Sequence, residues 1–322
     1  MGAAVPGPPA LAWRVLACLS LVVAALVTAC DDGADDELFP RVVSLGDGDI
    51  FANVVNSSLA VGPNRFMLQF EDADESPVLD ADVHLRFYDL NGDEPALDSE
   101  TSAQFVPIEL GYIDEQAPGG PQPQSSGTSG VYVADVEFTR AGDWGVRIAV
   151  MTPERTYDEF PFQFSVRERT PEPMIGEPAP ASMQATTANA PIEEIDSSYP
   201  PRPHMHDRTI ADALAEKRPL VIAFATPAFC TSRTCAPVMD TVMDPLYERY
   251  GDQATFIHVE PYVLSDLRNG FVQNPVPAAR EWQLQSEPWI FVVDAQGRVA
   301  AKFEGIVGVD EVEAALAGAA GS

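Results

Sequence analysis

Two cysteines five positions apart, Cys230 and Cys235, are the residues of this chain best suited to chemistry. They follow the apolar run 220–224 in the segment RPLVIAFATPAFCTSRTCAPVMD. The other two cysteines, Cys18 and Cys30, lie in the first thirty residues. If those belong to an export signal, the mature body carries one cysteine pair. A single pair placed where a strand turns into a helix is suited to thiol–disulfide exchange or to holding a soft metal ion.

The spacing constrains the local structure. Residues five apart on a regular helix point about 140° away from each other, whereas a disulfide needs Cα atoms within about 7 Å. The two cysteines therefore cannot both sit on one regular helix and be bridged. Pro237 is tolerated only in a first helical turn, which puts the helix start near Ala236 and leaves 230–235 as a loop. Cys235 then lies at the helix N-terminus, where the dipole favours a thiolate. Arg233 adds a positive charge nearby, and Pro245 kinks or splits the helix further on. A loop this short gives a permanent disulfide little entropy to recover, which favours exchange over a purely structural bond.

The histidines offer further donors. His258 lies in the strand-like segment Phe256-Ile257-His258-Val259-Glu260, either as a satisfied strand residue or as a third ligand beside the cysteines. In His204-Met205-His206 two imidazoles flank a thioether, a set that suits copper, or else a loop that packs on the next domain. His84 falls on the polar face of a strand and reads as a surface residue. Met239 and Met243, at helical spacing, read as core.

The N-terminus carries the apolar run 15–29, about the length of a signal peptide and short for a membrane span. It ends in Val27-Thr28-Ala29-Cys30, which resembles a bacterial lipobox with Cys30 as the lipidated residue; an uncleaved anchor is the alternative. Either reading puts the body outside the cytoplasm, where disulfides persist. About 290 residues then remain, enough for two domains. The formal charge of −30 opposes binding to nucleic acid or to an anionic lipid surface.

Residues 38–168 read as all-β. Alternation is strict in Phe160–Val166, at Trp144, Val146, Ile148 and Val150, at Phe66, Leu68 and Phe70, and at Val83, Leu85 and Phe87. Turn chemistry separates these runs at Asn91-Gly92, at Ala141-Gly142-Asp143 and over the Gly/Pro/Ser stretch 117–130. About seven short strands suggest an immunoglobulin-like β-sandwich. Residues 169–208 are rich in Pro, Ala, Thr and Ser and read as a linker. Residues 209–322 alternate strand and helix signals. Helical spacing covers 209–216, 238–250 and 309–316, and strands are expected at 220–224, 254–259, 289–293 and 299–304.

The order of the last 110 residues or so resembles the thioredoxin superfamily. The cysteine pair after the first central strand, the segment Glu287-Pro288-Trp289-Ile290-Phe291-Val292-Val293-Asp294 and the hairpin Asp294-Ala295-Gln296-Gly297-Arg298-Val299 carry the resemblance. It implies an α/β thioredoxin-like fold, Cys230 as attacking and Cys235 as resolving cysteine, and a substrate groove bordered by Pro288 and Trp289. The family's C-x-x-C is C-x4-C here, and its buried acid has no counterpart in 220–224. The run Gly130–Val133 with Ala141–Val146 resembles the small YtkA/FixH-like sandwiches of bacterial envelope proteins. The expected whole is a two-domain lipoprotein, an immunoglobulin-like sandwich followed by a thioredoxin-like domain, lipid-anchored to the extracytoplasmic face of the cell membrane. Its expected activity is thiol–disulfide exchange without a cofactor, on thiol- or disulfide-containing envelope proteins. Envelope copper chaperones of the SCO type share that fold and use two cysteines and a histidine, so copper held by Cys230, Cys235 and His258 is the alternative. A non-catalytic lipoprotein with a structural disulfide is the third reading.

Overall fold

The computed structural model describes residues 50–157 and 159–321. Cys30 and the apolar run before it lie outside the described residues. Among the described residues no helix is long and apolar enough to cross a membrane.

Eight strands come first: β1 (Ile50–Val54), β2 (Leu59–Ala60), β3 (Gly62–Asp72), β4 (Asp82–Asp89), β5 (Ala96–Asp114), β6 (Gln122–Phe138), β7 (Gly142–Met151) and β8 (Phe160–Arg167). They join in the order β1-β3-β6-β5-β4-β7-β8-β2. Neighbours are antiparallel except β2, which runs parallel to β8. Period-two alternation places Val83, Leu85 and Phe87 of β4 and Trp144, Val146 and Ile148 of β7 on one buried face. Aromatic rings fill that face edge-on: Phe66 meets Phe87 at 5.1 Å and Phe138 meets Trp144 at 4.8 Å.

The 19-residue strand β5 turns the sheet. Its first half, Ala96 to Ala103, pairs with β4, and its second half, Gln104 to Asp114, pairs with β6. Register shifts at Phe87/Tyr88 and Leu110/Gly111 add bulges that increase local twist.

A second sheet comes next. The chain forms α1 (Ile192–Ile195), a 3-10 turn (Pro203–Met205), α2 (Ile210–Ala215), β9 (Leu220–Phe224), α3 (Cys235–Val238), a π-helical turn (Met239–Met243) and α4 (Asp244–Tyr250). Then come β10 (Thr255–Val259), α5 (Leu264–Arg268), α6 (Pro277–Glu281), β11 (Trp289–Val293), β12 (Val299–Glu304) and α7 (Val309–Ala320). The strand order is β10-β9-β11-β12, with β9 parallel to β10 and the other pairs antiparallel. Strand β9 is buried at all five positions, as its unbroken apolar run requires. Thr209 caps α2 through a reciprocal pair of bonds with Asp212. Residues 176–179 run along β12 and exchange backbone bonds with Gly297 and Val299.

This architecture corrects the expected immunoglobulin-like sandwich followed by an α/β thioredoxin-like domain. The chain is mostly β. The first eight strands form one continuous curled sheet, because β5 runs through the bend and leaves no break between two facing sheets. Helices are short; α7, with 12 residues, is the longest described. One face of the second sheet packs on α2, α6 and Trp282. The other packs partly on α7 and on the first sheet itself: Met67, Ile108, Val131 and Val133 share one apolar core with Val221, Ala223, Ile290 and Val292. Alternating strand and helix signals imply helical layers on both faces, but strands supply part of that cover. The turn expected over 117–130 is also corrected, since residues from 122 onward belong to β6.

Candidate functional site

The cysteine loop is built from β9 outward. After Phe224 the chain turns, and the Cys230 amide donates to Thr226 O at 2.9 Å. Arg233 takes a left-handed φ of 57°, uncommon for a residue with a side chain, and its amide donates to Cys230 O at 3.1 Å. This reversal brings Cys235 back to Cys230, with Cα atoms 6.0 Å apart and a disulfide between them. Helix α3 starts at Cys235, one residue before the expected start, with Pro237 in its first turn. The sheet clasps the loop from outside: the Gly111 amide of β5 donates to Arg233 O at 2.9 Å, and the Arg233 guanidinium lies 5.2 Å from the Tyr112 ring. Cys235 is fully buried, whereas Cys230 keeps 5% exposure. The Ser232 hydroxyl lies 3.2 Å from Cys230 Sγ.

A carboxyl group faces this disulfide. Glu287, the residue before Pro288 and β11, places a side-chain oxygen within 4.8 Å of both sulfurs. The Thr226 hydroxyl donates to Glu287 Oε2 at 2.6 Å. Burial pushes the Glu287 carboxyl up to about 7, and the Thr226 bond opposes that rise only in part. At neutral pH it can both hold and release a proton. The peptide between Glu287 and Pro288 is cis.

A second cluster adjoins the same strand end. Asp196, His206 and His258 are each at most 3% exposed. His258 sits within β10, and its Nε2 donates to Ala225 O at 2.9 Å. Its Nδ1 faces His206 Nε2 at 3.1 Å. Asp196 turns one oxygen to each ring, Oδ2 lying 3.4 Å from His206 Nε2 and Oδ1 3.6 Å from His258 Nδ1. Burial pushes the His258 imidazole down to about 4 against the pull of Asp196. Burial would raise the Asp196 carboxyl, but the His206 contact and the neighbouring imidazoles hold it below the usual carboxylate range. Glu260, buried beside them, accepts from the Ser197 amide at 2.6 Å. Burial and the charge of Asp196 push its carboxyl well up.

The structure thus sorts the candidate residues into two groups. Cys230 and Cys235 come together with Glu287, whereas His258 joins His206 and Asp196. Within the His-Met-His run only His206 enters a cluster: Met205 is wholly buried in the core and His204 packs on Tyr247 at 4.2 Å. Met239 and Met243 are core residues, and exposed His84 meets the Ser102 hydroxyl. Pro288 and Trp289 are buried where β11 begins, with Trp289 Nε1 donating to Ser286 Oγ. Trp289 also lines a cavity of about 720 Å³ that Arg65, Glu172 and Lys302 help enclose between the two sheets. Sequence reasoning misses Asp196, Glu260 and Glu287 as site residues. Glu287 stands beside Pro288 in the segment that leads into β11, and that adjacency is the one available signal. No family model matches the chain, and no curated protein is detectably similar to it.

Proposed function

We propose that the protein exchanges the Cys230–Cys235 disulfide with thiols of partner proteins, with Glu287 carrying the proton. The observation that carries this reading is the Glu287 carboxyl beside both sulfurs. A purely structural disulfide has no use for an acid at that place, and an exchanging one does. Cys230 takes the attack, because it keeps 5% exposure whereas Cys235 is wholly buried. A partner thiolate bonds to Cys230 Sγ, the Cys230–Cys235 bond breaks, and Cys235 leaves with the electron pair. Glu287 gives that sulfur its proton. A second partner thiolate then attacks the partner's own sulfur in the mixed disulfide and releases Cys230, so the partner loses two electrons and this chain gains them. The reverse sequence reduces a partner disulfide. Phe271, 72% exposed and packed edge-on against Phe229 at 5.8 Å, gives the loop an apolar rim for an incoming chain. Anchoring through Cys30 on the extracytoplasmic face belongs to the same proposal and rests on the sequence of the apolar run.

The test is a redox titration of the full chain against glutathione or dithiothreitol, followed by thiol labelling. The folded protein is expected to interconvert with a midpoint above about −300 mV, the region where structural disulfides end. A pair that stays oxidised until the chain unfolds overturns the reading. Glu287→Gln is expected to slow exchange with a small dithiol by about 100-fold and to remove the inflection near pH 7 from its pH profile.

A further inference from the structure

We propose that Asp196, His206 and His258 form a binding site for a divalent transition metal ion of the zinc type, separate from the disulfide. Three donors from three stretches of chain converge here. Asp196 comes directly after α1, His206 ends the 3-10 turn, and His258 lies in β10.

The hydrogen bonds around the cluster leave donor atoms pointing inward. Because His258 Nε2 donates to Ala225 O, the lone pair of its neutral ring is on Nδ1, the atom that faces His206 and Asp196. A ring N–H fixed by a backbone carbonyl is the usual outer support of a metal-bound imidazole. Asp196 is supported in the same way, taking the amides of Ser198 at 2.8 Å and Arg202 at 2.6 Å.

The distances separate two explanations. A charge-assisted bond between imidazole and carboxylate spans about 2.7–2.9 Å. The observed separations of 3.4 and 3.6 Å exceed that; without an ion the His258 Nδ1 lone pair is met by the His206 Nε2–H at 3.1 Å and not by Asp196. Metal–ligand bonds of about 2.0–2.1 Å at tetrahedral angles give ligand–ligand separations of about 3.3–3.4 Å. The His206–His258 separation of 3.1 Å and the contacts that Asp196 makes through its two different oxygens, 3.4 and 3.6 Å, lie around that value, and one donor atom from each residue can be chosen with all three within 4.8 Å of one another.

A second, independent observation points to the same place. Glu260, 5% exposed, has an Oε2 with no hydrogen-bond partner among the described residues. It lines, with His206 and His258, a cavity of about 390 Å³. A buried carboxyl oxygen left unpaired beside three converged donors is available to a cation or to its bound water. The donor set of imidazole and carboxylate, without sulfur, suits zinc and its neighbours and not a soft monovalent ion. The cavity gives the ion access and leaves a coordination position open.

The experiment is zinc titration of the chelator-stripped full chain in competition with a chromophoric chelator, with Co²⁺ as a spectroscopic substitute. One ion per chain is expected, with visible cobalt bands of four-coordinate nitrogen and oxygen ligation. His206→Ala and Asp196→Asn are each expected to weaken zinc by about 100-fold or more, while the Cys230→Ser, Cys235→Ser double variant binds as the parent does. Circular dichroism of each variant checks folding, and the cobalt spectrum of the parent needs no variant at all. Absence of one-to-one binding in the parent overturns the proposal. So does unchanged affinity in folded His206→Ala, or loss of binding in the folded cysteine variant.

Discussion

Replacing Glu287 with glutamine should make the protein more stable above neutral pH while slowing the proposed disulfide exchange. Burial raises the carboxyl from an ordinary 4.5 to about 7. The folded state therefore holds the Glu287 proton more tightly than the unfolded chain does. Native stability falls as pH rises through that interval and the penalty is complete above it. At about 1.4 kcal/mol per pH unit, the gap corresponds to a ceiling of about 3 kcal/mol. Glu287 is only partly buried by surface area, so solvent screening brings the expected effect to about 1–2 kcal/mol. Glutamine keeps an oxygen for the Thr226 hydroxyl and has no charge to bury. The assay is urea unfolding of both proteins with the disulfide intact, from pH 5 to pH 8. Glu260 and Tyr262 feel the charge of Glu287, so the difference between the two proteins reports Glu287 together with its coupling to these neighbours. The variant's advantage should be small at pH 5 and largest at pH 8. Parallel curves across the range would refute the placement of an ionisable carboxyl in that environment.

Two further predictions concern the framework. Arg202, with its side chain 6% exposed, grips Asp244 through Nε and Nη2, both at 2.7 Å, and also meets Asp240. Arg202→Ala should cost about 2 kcal/mol in urea unfolding, below the loss at a fully buried pair because the two carboxylates keep access to water. At Gly130 a Cβ would stand 2.6 Å from Val106 O and closer still to the Phe105 ring. Gly130→Ala should therefore destabilise by about 2 kcal/mol and lower the thermal midpoint.

The strands are legible where one side chain type repeats. Runs 220–224, 289–293 and 299–304 coincide with β9, β11 and β12, because an unbroken or alternating apolar run has few other uses. The fold class is not legible. Nothing in 117–130 signals a strand: its glycines and serines favour turns in isolation, and its second part is held extended by the ladder to β5. Gly127, at φ 108°, shows the same local compromise. The disulfide loop can be placed from Pro237 and helix geometry alone. Its acid cannot, because Glu287 reaches the sulfurs from 52 residues further along the chain, and only the pairing of β11 with β9 brings the two together. Asp196 lies in a stretch without periodicity, so its meeting with His206 and His258 is a tertiary event that composition cannot announce.

The contact between β5 and the cysteine loop also bears on how such a chain is inherited. Gly111 and Ile113 donate their amides to Arg233 O and Pro227 O, extending the long sheet's hydrogen bonding into the loop that carries the disulfide. A gene fragment ending between the two sheets would strip Met67, Ile108 and Val131 from the apolar core they share with β9 and β11. Recombination that exchanges either half for an unrelated module would therefore disturb the disulfide loop directly. The two halves are bound to change together, and a substitution at Gly111 or Tyr112 belongs to the evolutionary history of the disulfide as much as one beside Cys230 does.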